Sequence, residues 1–206
     1  IRNAALTALG DLASGSDMPQ LIDLLLSAAT EEDRAAAHQS MVAVAKSIAP
    51  ASQQAAAIIE ALQKVSADRK AVLLNVLVDV EGDAALHSVA AETDSADAVV
   101  KAAAVAALAK WHDVSATTDL LRFAEAEQDA ALRDTALAGY VRLARTSPIA
   151  AEDKIWLYAQ GFAALSDPAC RKALLEGLAD VNTLGALKQA AALLDDPALQ
   201  DRKSVV

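Results

Sequence analysis

The chain is 206 residues long, carries a formal net charge of −10, and is 54% hydrophobic but only 3% aromatic. That acidic balance, with no run of Lys or Arg longer than two residues, argues against nucleic acid as a partner, because phosphate backbones are held by clustered cations. Alanine supplies much of the apolar fraction, Gly and Pro number only 7 and 5, and the alternation that marks strands is missing, so the composition points to helices throughout.

Read in chain order, helices of two kinds alternate. The second kind begins with a basic residue, then a small residue two positions on, an aliphatic at four and a large apolar residue at seven. Arg2 leads Ala4, Leu6 and Leu9. Asp17, followed by Met18 and Pro19, then starts a first-kind helix predicted over 18–28. Arg34 leads Ala36, His38 and Met41. A first helix follows over 53–65, and Arg69 leads Ala71, Leu73 and Val76. Next come a first helix over 84–92 and Lys101 with Ala103, Val105 and Leu108. The helix over 116–125 is followed by Arg133 with Thr135, Leu137 and Tyr140. The helix over 152–165 is followed by Arg171 with Ala173, Leu175 and Leu178. A last first helix over 183–194 precedes Arg202. The basic residues recur every ~31–38 positions, the period of a two-helix repeat. Offsets four and seven share one helical face. Small residues at offset six (Ala8, Ala107, Gly139, Gly177) let neighbouring helices approach closely.

The segments 1–10, 100–108 and 132–143 carry a V-R-x-A-A-x-A-L pattern, and Asp167-Pro168 and Asp196-Pro197 supply the D-P turn before it. The chain therefore resembles HEAT-like repeats of the kind found in phycobilisome lyases. The resemblance implies an all-α, α-α superhelix (a HEAT-like or armadillo-type solenoid) of about six helix pairs. It covers residues 1–206 as a single array, with the basic helices lining the concave face. Copies 32–48 and 68–80 depart from the pattern, with His38 and Asn75 at interior-type offsets. Both ends stop inside a repeat, and the expectation is that flanking repeats or domains of a longer polypeptide cover them.

Several residues have two readings. The basic positions form either a binding ladder or, as Asp97, Asp129 and Asp167 four residues upstream invite, ion pairs at the turns, each worth ~0.2–0.5 kcal/mol. All six aromatics lie between Trp111 and Phe162, across the longest repeat interval. They fill a wider gap between helices, or some of Trp111, Tyr140, Trp156 and Tyr158 are exposed interface anchors beside Arg142 and Arg145. From 71 to 100 there are six acids and no Lys or Arg, apart from Lys70 just before. Asp79, Glu81 and Asp83 suggest Ca²⁺ but lack the remaining ligands of an EF-hand loop, so a solvated turn is preferred. His38, His87 and His112 lie far apart, with no zinc-type spacing, and His38 reads as a hydrogen-bonded interior residue. Cys170 is the one cysteine, which excludes an internal disulfide, and it has no evident catalytic partner.

No catalytic, cofactor or metal site is expected, and no apolar run approaches the ~20 residues of a membrane-spanning helix. The leading functional reading is a non-catalytic, protein-binding scaffold with Trp111, Tyr140, Arg142, Arg145, Trp156 and Tyr158 as candidate partner-binding residues. The alternative is a subunit resembling the phycobilin lyases, with Tyr140 or Tyr158 as proton donor. A DNA-glycosylase reading requires a basic groove that the net charge disfavours.

Overall fold

The computed structural model describes residues 13–192. Among the described residues there are eleven α-helices and no strand: α1 (Met18–Leu26), α2 (Glu31–Ser47), α3 (Ala56–Leu62), α4 (Ala67–Val80), α5 (Asp83–Glu92), α6 (Ala98–Ala109), α7 (Thr117–Ala126), α8 (Ala130–Thr146), α9 (Ala151–Ala164), α10 (Pro168–Ala179) and α11 (Leu184–Ala192). Each helix expected between residues 18 and 192 is present. The expected start at Gln53 is taken by a 3₁₀ turn, Ala51–Gln53, and α3 begins at Ala56. The copies begun by Arg2 and Arg202, with Ala8 and the Asp196-Pro197 turn, lie outside the described residues.

The helix starts follow from short polar side chains that satisfy otherwise unpaired backbone N–H groups. The Thr30 hydroxyl accepts from the Asp33 N–H at 3.1 Å. Asp97 accepts from Val99 and Val100, Asp129 from Ala131 and Leu132, and Asp167 from Ala169 and Cys170. The aspartates expected to pair with a basic residue four positions on are thus N-caps, a role worth ~1 kcal/mol each. Between α4 and α5 the chain reverses through Glu81 and Gly82, whose φ angles are 66° and 87°.

The chain divides into two compact units at Ala107/Leu108. In the first, α1 packs on α2 and on α3, α3 on α4 and on α5, and α2 on α4. In the second, α7 packs on α8 and on α9, α9 on α10 and on α11, and α8 on α10. Within each unit, first helices therefore touch first helices and second helices touch second helices.

The repeat pattern explains this packing. Offsets four and seven are buried at Leu73, Val76, Val105, Leu108, Leu137 and Tyr140, each large side chain contributing ~1.5–3 kcal/mol. Offset three joins them, with Ala37, Ala104, Ala136 and Leu174 at 0% exposure. Leu175 and His38 are only half-buried, and Asn75 is exposed, its amide donating to the Ala71 carbonyl.

The basic residues stitch successive pairs together. Arg34 pairs with Glu31 at 2.7 Å in its own first turn, and Arg133 reaches Asp167 at the next pair's turn at 4.0 Å. Arg171 donates to the Phe162 and Leu165 carbonyls and sits 5.7 Å over the Phe162 ring. His38 on α2 meets Asp79 on α4 at 2.7 Å. Lys70 meets Glu92 at 2.8 Å with both side chains mostly buried. Two acids of the 71–100 stretch are thereby committed to structure.

Candidate functional site

Helices α8 and α10 occupy equivalent places in consecutive pairs and run side by side in the second unit. Small residues between them, Ala138, Ala169, Ala173 and Gly177, leave an open groove of about 580 Å³. Leu137 and Val141 complete an apolar floor, and Asp134, Arg142, Arg145 and Glu176 bring charge to it.

The groove is braced from behind. A Cβ on Gly139 would stand 2.5 Å from the Ala109 Cα, so α8 rides directly on the backbone at the end of α6. Three residues on, Arg142 donates through Nε and Nη2 to the Ala109 carbonyl, at 3.1 and 2.9 Å, and through Nη2 to that of Trp111. One guanidinium fork thus caps carbonyls that the ending helix leaves without intrahelical donors. At the far end of α8, Arg145 pairs with Asp180 at 3.2 Å.

The expected site residues separate into distinct roles. Arg142 and Arg145 line the groove as hoped, but both are engaged by the protein itself. Trp111, Tyr140 and Tyr158 are 1%, 1% and 0% exposed. The expectation that they are surface anchors is corrected: their rings fill the space between helices. The reason is facial. Tyr140 is at offset seven of its repeat, and Trp111 closes the end of α6, where its carbonyl takes Arg142. Trp156 alone is exposed, at 60%. It lies two residues from Tyr158 on α9, and two residues turn a helix through about 200°, so the two rings face opposite ways. The gap-filling account therefore holds for five of the six aromatics. Tyr140 and Tyr158, the donors a lyase-like reaction needs, present no hydroxyl at the surface.

Sequence reasoning missed Asp134 and Glu176. They sit at offsets one and five of successive second helices, one turn apart on one face, and that period was available to find them. Gly177 was read only as a spacer, yet a Cβ there would lie 2.7 Å from the Tyr158 hydroxyl oxygen.

The two buried tyrosines differ in one bond. Tyr140 donates its hydroxyl proton to the Leu157 carbonyl, whereas the Tyr158 hydroxyl has no partner. Burial, with Tyr158 beside it, pushes the Tyr140 phenol well above its ordinary value. Burial first, and Asp180 second, push Tyr158 from 10.0 up to about 12. Tyr140→Phe is expected to lose ~1–2 kcal/mol in urea unfolding, and Tyr158→Phe to lose nothing or gain slightly, because it removes a desolvated group that makes no bond. Between pH 10 and 12 the unfolded chain releases tyrosine protons that the folded chain retains. Stability is therefore complete below pH 10 and falls as pH rises, by up to ~1.4 kcal/mol per pH unit per tyrosine. Unfolding curves through this window should be flatter for Tyr158→Phe, and an unchanged slope contradicts the assignment.

On the other side of α10 a second groove of about 630 Å³ runs along α11. It is mostly apolar, and Leu184 and Leu187 at its edge are 66% and 65% exposed. Cys170 is buried, and burial with Asp167 nearby raises its thiol, which makes it a packing residue and not a nucleophile. Among the described residues no group of three or more His, Cys, Asp or Glu side chains converges, and no helix is long and apolar enough to cross a membrane. No protein-family model matches the chain, and no curated protein matches it significantly.

Proposed function

We propose that the chain is a HEAT-like α-solenoid that works as a non-catalytic scaffold and binds a protein partner along the face of its second helices. The observation that carries this reading is the α8–α10 groove. It is open, apolar at its floor and held rigid by Arg142. Preformed grooves between rigid helices lose little conformational freedom on binding, and so favour a helix or extended segment as occupant. The like-on-like helix packing inside each unit supports the array, since a helix pair buries its apolar stripe only against the next pair. In this reading both units belong to one array, and the second helices take the concave side that the resemblance gives them.

Ala138 is exposed in the groove, so a bulky side chain there fills it without entering the core. Affinity purification from the source organism, with quantitative mass spectrometry, should enrich a discrete protein on the wild-type chain and lose it on Ala138→Trp, with helicity unchanged. Equal enrichment on both chains contradicts groove docking.

A further inference from the structure

We infer that the partner segment taken by the α8–α10 groove is basic and amphipathic, a helix with Lys or Arg on one flank of an apolar face. This rests on the docking reading above. The argument is one of charge left over. Four charged residues line the groove. Arg142 is tied to the Ala109 and Trp111 carbonyls, and Arg145 to Asp180. Asp134 and Glu176 are exposed and form no ion pair among the described residues. The groove thus meets its own cations from within and leaves its anions open, one on each wall above the apolar strip of Leu137, Val141 and Ala173.

A second observation points the same way. Tyr158 is fully buried, and its unpartnered hydroxyl ends against Gly177 in the groove floor. Its oxygen is an acceptor to which nothing donates, aimed at the place an occupant would lie. The chain's net charge of −10 adds a long-range pull on a cationic segment and raises its rate of encounter.

The test uses three fluorescein-labelled peptides of about 14 residues, roughly four helical turns. They are a leucine–lysine amphipathic helix, its scrambled isomer of equal charge, and a leucine–glutamate counterpart. Anisotropy is read in about 0.15 M salt, where distant charges are largely screened. The leucine–lysine helix should bind the wild-type chain, lose about tenfold on Asp134→Asn/Glu176→Gln, as two exposed ion pairs allow, and fail on Ala138→Trp. Equal binding of the scrambled isomer, or full affinity in the double variant, overturns the inference. If the leucine–glutamate helix binds more tightly and Ala138→Trp removes it, the basic partner is wrong and the docking groove stands. If no peptide responds to Ala138→Trp, both fall.

Discussion

Gly139→Ala should destabilise the protein by about 3 kcal/mol, although alanine is the better helix former by about 1 kcal/mol. The added Cβ would meet the Ala109 Cα at 2.5 Å and its Cβ at 2.7 Å. Both atoms belong to a helix end and not to the tip of a flexible side chain, so relief requires α8 to move away from α6. That movement would break the Arg142 fork and open the buried seam around Tyr140. The opposing partner can be shortened. Ala109→Gly in the same chain should restore part of the loss, and urea unfolding of the two single variants and the double variant measures the coupling. Additive losses would show that the close approach does not set the cost.

Arg142→Ala should cost about 2 kcal/mol or more. It removes three charge-assisted donations to two carbonyls at the end of α6, each such bond being worth ~1.5–3 kcal/mol where water does not replace it. Arg142 is half-buried, so water recovers some of that loss. Arg142→Lys should recover less than half of the remainder, because a single ammonium on a flexible stem cannot bridge both acceptors at once. Chemical denaturation of the three proteins gives the ranking directly, and a lysine variant as stable as wild type contradicts the fork. A residue that looks like a binding determinant is here a brace, so Arg142→Ala is a poor probe of partner binding. The exposed Ala138, Asp134 and Glu176 are the cleaner handles.

Much of the architecture could be read from the residues. Offsets of four and seven placed Leu73, Val76, Leu108 and Tyr140 on the buried face, because a 3.6-residue period leaves few alternatives once the basic residue is fixed. Offset six marked Gly139 and Gly177 as points of close approach. The roles of the polar side chains were less legible. Asp129 and Asp167 stood in the right place for a local ion pair, but an aspartate just before a helix bonds backbone N–H groups more favourably than an exposed cation. Trp111, Tyr140 and Tyr158 resisted assignment because a large amphipathic ring suits a core and an interface equally well. Which one applies depends on the neighbouring helix, here on Gly161 and Gly177 making room for Tyr140 and Tyr158. The groove was hidden for the same reason. Its acids lie about a repeat apart in sequence, and they stand out only once the arginines beside them are seen to be engaged.

The account depends on stability being passed from pair to neighbouring pair. Native-state hydrogen exchange on Gly139→Ala, read segment by segment against wild type, tests this most directly. A stacked array should show its largest loss of protection in α8 and α7, a smaller loss in α10, and little in α11 or in α2 and α4 of the other unit. Uniform loss across every helix of the second unit, α11 included, would mark that unit as one cooperative globule and contradict the array.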